Sequence, residues 1–542
     1  MIFMKKSLWL NLAIASGVAL LLSACGGSSS DSSSGSASTT VTGSIFAAPI
    51  SGAAVMVKDT SGNIIAGPAT TNASGQYSVS IPNANLAQDL VFESTGGSFA
   101  DEATGTSTSA GTLAAYVAAN SLSAGAEVHV TPGSTIIERL MTQHSMTQVQ
   151  AETAFQNAFA YTPDLSLAPT DATNPDAGAD SDQKLDGLRA AVFSQLASDL
   201  GLTAAEQFQL IQVLADDLSD GDLDGVDANG VIMVPGTAIT LQADIRNRFV
   251  KALENFRVGN DNSGLSNDQL GTLPFAKLAL SNSYRFEYVE GMMPASEGRT
   301  MFKLSVTDAA TGTTPQTALS LSLMAMMHMA TMTHSTPAAG CVESATPGTY
   351  DCTIYYLMPS QMMNKSMGYW QLTVMAGMGE SAVFYPTVTM AMNGNGKVVL
   401  KGQSGDLIAG MTGTENRSYY IFKDSVTGTS GNHTIKLFVA ARESMMSFPA
   451  IYAGKTLNQG TAYELYISTM SVEVSTDGST WVAADGSSND GYWTASGVSG
   501  LSDGVEGSFF IRVTVNNEQK TTDGAMPAGD GSNDYTTITF TP

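Results

Sequence analysis

Charge is scarce in this chain. Asp, Glu, Lys and Arg make up only 13% of its 542 residues, and 24 basic residues face 49 acidic ones, a formal net charge of −25. A surface so short of cations repels phosphate backbones, which argues against nucleic acid as a partner. Histidine occurs five times and cysteine three times, too few for a zinc framework built on repeated Cys and His pairs. There is no G-x-S-x-G elbow, H-E-x-x-H helix or P-loop, so the expected role is binding rather than catalysis. Beyond Leu22, no apolar run approaches the roughly 20 residues that cross a bilayer.

What the N-terminus does contain is a three-part leader. Lys5 and Lys6 precede an apolar run from Leu8 to Leu22, and small residues follow. That is the layout of a secretory signal, too short to anchor permanently. Its end, Leu22-Ser23-Ala24-Cys25, resembles the lipobox of bacterial lipoproteins. The resemblance implies a signal peptide over 1–24, cleavage before Cys25 and lipid on Cys25. Gly26 in place of an aspartate favours the outer membrane. The alternative is a plain secretory signal that happens to end in a cysteine. "GGSSSDSSSGSASTT" then reads as a flexible tether through residue 40.

A chain of this length needs several cores. The expected fold is multidomain and mainly β, in four parts. From 41 to 130, short alternating runs such as Gln76-Tyr77-Ser78-Val79-Ser80-Ile81 are separated by Ser-Gly turns, the pattern of a small β-sandwich. "SGAAVMVKDTSGN" with "TTNASGQYSVSIP" resembles the carboxypeptidase regulatory-like, prealbumin-like domain. The resemblance implies turns at Gly43, Gly52, Gly62 and Gly75, Tyr77 in the core, and a spacer or scaffold role.

From 131 to 274 the apolar spacing becomes helical, predicting a small bundle of four helices. One carries His144, and another starts at Thr203 with Glu206 completing a capping box. From 275 to 394 and from 395 to 542, β-runs separated by Gly, Asn and Asp turns predict two immunoglobulin-like sandwiches. The break falls near Met392–Lys397, and "GYW" at 368–370 is echoed at 491–493. Cys341 and Cys352 flank a Pro347-Gly348 turn. In an oxidising compartment they are expected to pair as a disulfide.

Two segments point to metal. In "DGDLDGVDANG", Asp220, Asp222 and Asp224 alternate like the opening of a calcium loop. Position twelve is Val231 instead of the bidentate glutamate, and a polar helix-ending turn explains the same residues. The second segment is "LSLSLMAMMHMATMTHSTP", residues 319–337. Seventeen of the 27 methionines fall between Met292 and Met411. Read as a strand, Leu319, Leu321, Leu323, Ala325, Met327 and Met329 share a core face, while Met324, Met326 and His328 stand in a row outside. Met332 and His334 follow in an expected loop and close over that row. Thioethers with imidazole suit copper(I).

"FKLSVTD", the methionine segment, "GTYDCTIYYLM" and "MGYWQLTV" together resemble the YtkA-like or FixH-like exported β-domains, over about Arg299 to Val374. The resemblance implies copper handling at Met324, Met326, His328, Met329, Met332 and His334. Two further readings stay open here. One is a structural or adhesive lipoprotein whose Met-rich face docks a protein or apolar partner without metal; the other is methionine as plain core filler.

Overall fold

The computed structural model describes residues 37–541 apart from Met292, Met378 and 392–395. The leader, Cys25 and most of the tether lie outside the described residues. Ser38 onward forms one compact unit. Among the described residues it is mainly β, with several sandwich-like sheets and five α-helices.

The first strands are β1 (Ser38–Ser44), β2 (Ala54–Asp59), β3 (Ile64–Thr70), β4 (Gln76–Pro82), β5 (Leu90–Thr95), β6 (Ser98–Ala100), β7 (Ser107–Ser109) and β8 (Leu113–Val117). They form a sheet in the order β3-β2-β5-β8, a β1–β4 ribbon and a β6–β7 hairpin. In β4 the period-two pattern buries Tyr77, Val79 and Ile81 and exposes the residues between them. Gly52, Gly62 and Gly75 have positive φ. Gly43 does not sit in a turn: it lies within β1, where a Cβ would come 1.8 Å from the Val128 carbonyl oxygen.

The helices are α1 (Pro132–Thr142), α2 (Gln148–Phe159), α3 (Ser181–Asp199), α4 (Gln207–Asp217) and α5 (Ile245–Gly259). The segment expected to give one helix gives two. Ser145 takes φ 57°, and Thr147 caps α2 by exchanging bonds with Gln150. His144 falls in the break and bonds Asp216 at 3.0 Å. The Glu206 carboxylate does reach back to the Thr203 amide, at 2.7 Å, but α4 starts only at Gln207. The helices pack on the first sandwich through one continuous hydrophobic cluster. Phe99 of β6 meets Phe208 of α4 edge-on at 5.6 Å.

Two further sandwiches follow. In one, a five-stranded sheet contains Gly298–Asp308 and Thr349–Tyr356. A four-stranded sheet faces it, ordered Thr333–Ser335, Leu321–His328, Tyr369–Ala376, Ser381–Phe384. Cys341 lies directly opposite Cys352 with Cα atoms 4.1 Å apart, and the two are disulfide-bonded. The bond closes a short loop, so replacing both cysteines with alanine should lower unfolding free energy by up to roughly 3 kcal/mol. Denaturant titration of the oxidised chain against the double variant measures this.

The last sandwich is built on the long strands Ser418–Thr429, Asn432–Ala441 and Gly507–Val515. The Gly-Tyr-Trp echo is real in three dimensions. Gly368 and Gly491 both have positive φ, both precede a strand, and each strand carries a buried tryptophan, Trp370 or Trp493.

The two sandwiches are joined by a small aromatic cluster. Tyr355 stacks on Phe438 at 4.3 Å and donates its hydroxyl to Asp424 at 2.7 Å, and Arg299 pairs with the same carboxylate at 2.9 Å. The methionine-rich sandwich is likewise tied to the helices. Tyr369 and Tyr385 belong to the hydrophobic cluster that holds α1–α5.

Candidate functional site

Leu321–His328, here the methionine strand, alternates as strand geometry demands. Leu321, Ala325 and Met327 are buried, while Ser322 and Met324 are exposed and Met326 and His328 half-buried. Met324, Met326 and His328 therefore share the outer face. Met329 packs at the margin of the sandwich core, and Met332 is half-buried in the turn that follows.

His334 does not join the outer row. The chain reverses over Met329–Met332, with the Met329 amide donating to the Met332 carbonyl at 3.0 Å, and Thr333–Ser335 pairs back onto the methionine strand. His334 is registered opposite Met327, and directly paired residues share a face of the sheet. Met327 points inward, so His334 does too; it is 6% exposed. The expected six-residue cluster is thus split between two faces. The hairpin has no Gly, Asn or Pro at its bend, which is why the sequence reads as a loop there.

On the inner face, Met327 is paired with His334 on one side and Trp370 on the other. The His334 ring stands edge-on to Trp370 at 5.5 Å. Its Nδ1 lies 2.8 Å from the Ser335 carbonyl oxygen and its Nε2 lies 3.3 Å from Sδ of Met358. Burial lowers the pKa of His334 below the ordinary imidazole value, opposed by the bond to Ser335, so the ring is neutral at pH 7 and carries one proton. A carbonyl oxygen only accepts, which places that proton on Nδ1. Nε2 then presents its lone pair to a thioether sulfur, which has no proton to offer. Two soft donors face each other, and the Nδ1 bond fixes the ring as it does in metal-ligating histidines. Met329 and Met367 pack at the edge of the same core. Met358 was visible in the sequence as one more methionine; nothing there signalled that it would meet His334.

The outer row is different. His328 stacks on Tyr369 at 4.8 Å, and its Nε2 donates to Oε1 of Gln371 at 2.9 Å. Gln371 in turn donates to Glu254 of α5 at 3.1 Å. This end of the face is a seam with the helices. Only toward Met324, 43% exposed, does it open to solvent.

The carboxylates of the acidic loop after α4 have partners within the protein. Asp222 pairs with Arg246 at 2.9 Å, Asp220 accepts from the Asp222 amide, and Asp224 accepts from the Val226 amide. Asp217, not singled out in the sequence, is the fully buried member and accepts from the amides of Asp224 and Gly225. Among the described residues, no three His, Cys, Asp or Glu side chains converge as a metal site; thioethers stand outside that set. No helix among the described residues is long and apolar enough to cross a membrane.

No family model matches the chain, and no curated protein matches it. Among solved structures, an endo-fucoidan hydrolase of glycoside hydrolase family 107 aligns over 70% of this chain and 58% of its own, at 9% identity and a TM-score of 0.13. A point variant of that enzyme aligns over 56% and 50% at 10% identity, with the same TM-score. The chain spans about half the length of these enzymes.

Proposed function

We propose that this chain is a non-catalytic binding protein of the cell envelope, lipid-anchored through Cys25, whose methionine-rich sandwich holds copper(I). The observation that carries the metal reading is the His334–Met358 pair: an imidazole nitrogen 3.3 Å from a thioether sulfur, its ring held by the Nδ1 contact to the Ser335 carbonyl. Soft N and S donors select copper(I) over magnesium or calcium. The centre of the site is on the inner face. Met324, Met326 and His328 form a secondary, partly open row. The first sandwich serves as a spacer, in keeping with its resemblance to regulatory-like domains.

The test is a competition titration of the whole chain against a chromogenic copper(I) chelator, with ascorbate as reductant. Met358→Leu conserves volume and should weaken copper(I) by more than about tenfold, as should His334→Leu. Met324→Leu should change affinity little. Equal affinity in wild type and Met358→Leu would remove the inner site, and failure of the wild type to compete at all would remove the copper reading.

A further inference from the structure

A cleft of about 1260 Å³ lies between the β1–β4 ribbon and the loop that joins α2 to α3. It is remote in sequence from the methionine strand and independent of the metal reading. It exceeds the roughly 300–1,000 Å³ of a pocket built for one small molecule, so it suits a chain of several units.

Three close backbone approaches hold its walls. A Cβ at Gly43 would meet the Val128 carbonyl oxygen at 1.8 Å, and Tyr77 donates its hydroxyl to that same oxygen at 2.7 Å. A Cβ at Gly187 would meet the Thr170 carbonyl oxygen at 1.7 Å, clamping the far wall to α3. Gly75, at φ 74°, passes the Ile45 carbonyl oxygen in the same way, at 2.7 Å. The cleft is therefore preformed, and a ligand need not order its walls.

A polar relay lines it, with Ser44 and His129 buried and Glu127 exposed. His129 is 5% exposed; its Nε2 lies 3.3 Å from the Glu127 carboxylate and its Nδ1 lies 2.8 Å from Oγ of Ser44. The carboxylate only accepts, so Nε2 carries the ring proton and Ser44 donates to Nδ1. That leaves the lone pairs of Ser44 unclaimed by the ring.

The lining chemistry selects the ligand. Among the described residues, no lysine or arginine lines the cleft, and the chain carries a net charge of −25, so anions are repelled. The walls are dominated by hydroxyl, amide and carboxylate side chains, which an apolar ligand would leave unpaired. The carboxylates do not converge on a cation: Asp171 is spent on the amide and hydroxyl of Thr173, and Glu127 on His129. What remains is the side chains of Asn174 and Asp176 and the amide N–H groups of Gln76 and Gln183, with Pro49 and Pro169 offering C–H surface beside them. Such groups take up paired hydroxyls. We propose that the cleft is a binding site for a neutral, polyhydroxylated ligand, a stretch of uncharged oligosaccharide.

The experiment is calorimetric titration of the whole chain with maltohexaose, cellohexaose and chitohexaose as neutral probes. Hexagalacturonate is the anionic control and hexalysine the cationic one. Asn174→Ala and Asp176→Ala trim side chains that line the cleft, and Ser78→Trp fills it from an exposed position on β4. At least one neutral hexasaccharide should bind, and each variant should weaken it by about tenfold or more while leaving the melting temperature in place. The proposal is overturned by any of three results: no neutral probe binds at millimolar concentration, a charged probe binds more tightly than all the neutral ones, or the three variants bind as the wild type does.

Discussion

Asp406→Ala is expected to destabilise the C-terminal sandwich by about 3–5 kcal/mol, the cost of stranding buried charge. Asp406 is 6% exposed and sits between two cations: Arg417, 1% exposed, at 2.8 Å, and Lys520, 2% exposed, at 2.9 Å. Tyr419 donates to the same carboxylate. Arg417 spends its remaining donors on Asn458 Oδ1 and the carbonyl oxygens of Leu407 and Tyr463, while Lys520 also reaches Glu518 at 2.7 Å. Alanine removes the one anion both cations share, and neither can reach water without opening the loops they pin. Asp406→Asn keeps shape but not charge and should fall between the two. Hydrogen exchange in Ser418–Thr429 and Gly507–Val515 localises the effect. A loss under about 1 kcal/mol would mean that the cations are solvated after all.

The second large effect is a gain of stability on mild acidification. Asp186 of α3 is 5% exposed, and burial pushes its carboxyl up to about 7, with nearby Arg189 opposing and Asp164 adding. Burial also pushes Asp217 up to about 7, opposed by the amides of Gly225 and Asp224 and reinforced by the carboxylates of Asp224 and Asp220. Glu102 is raised in the same direction by burial and then by Asp171. A folded pKa above the unfolded one means that the folded state holds the proton more tightly. The stability from Asp186 and Asp217 is therefore fully present below about pH 4 and lost as pH rises through about 7.

A rise from 3.8 to about 7 is worth on the order of 4 kcal/mol for each. The melting temperature should be higher at pH 5 than at pH 8, and Asp186→Asn or Asp217→Asn should flatten the difference. Net negative charge pulls in the same direction, so the variants, not the wild-type curve alone, decide. An unchanged slope in both variants would move the effect to overall charge. Below pH 4 the trend should reverse, because exposed turn carboxylates such as Asp59 and Asp227 are held below their ordinary values by local hydrogen bonds.

Alternation of apolar residues made the strands legible. It correctly separated Met324, Met326 and His328 from Leu321, Ala325 and Met327, because burial on one face of a sheet writes a period of two into the sequence. The disulfide was legible because Pro347-Gly348 marks a turn at the right distance. His334 was not, because its hairpin bends through Met329–Met332 without the residues that announce a turn. The helical break at Ser145 is hidden for a similar reason: a serine at positive φ leaves no compositional mark. The Asp406 hub and the cleft were beyond reach. Their members come from segments more than a hundred residues apart in one case and from four separate stretches in the other, so no window of sequence contains either.

Tyr369 and Tyr385 have a bearing on how this chain can be divided. Their rings complete the apolar interior of the helices, and Gln371 beside them is bonded to Glu254. Excising 275–394 for crystallography or for a binding assay would leave the helices with an open, sticky wound and the excised piece with two bare phenols. The segments of this polypeptide are not beads that recombination could shuffle freely; a breakpoint at residue 274 would be tolerated only if the donor brought matching aromatic rings with it.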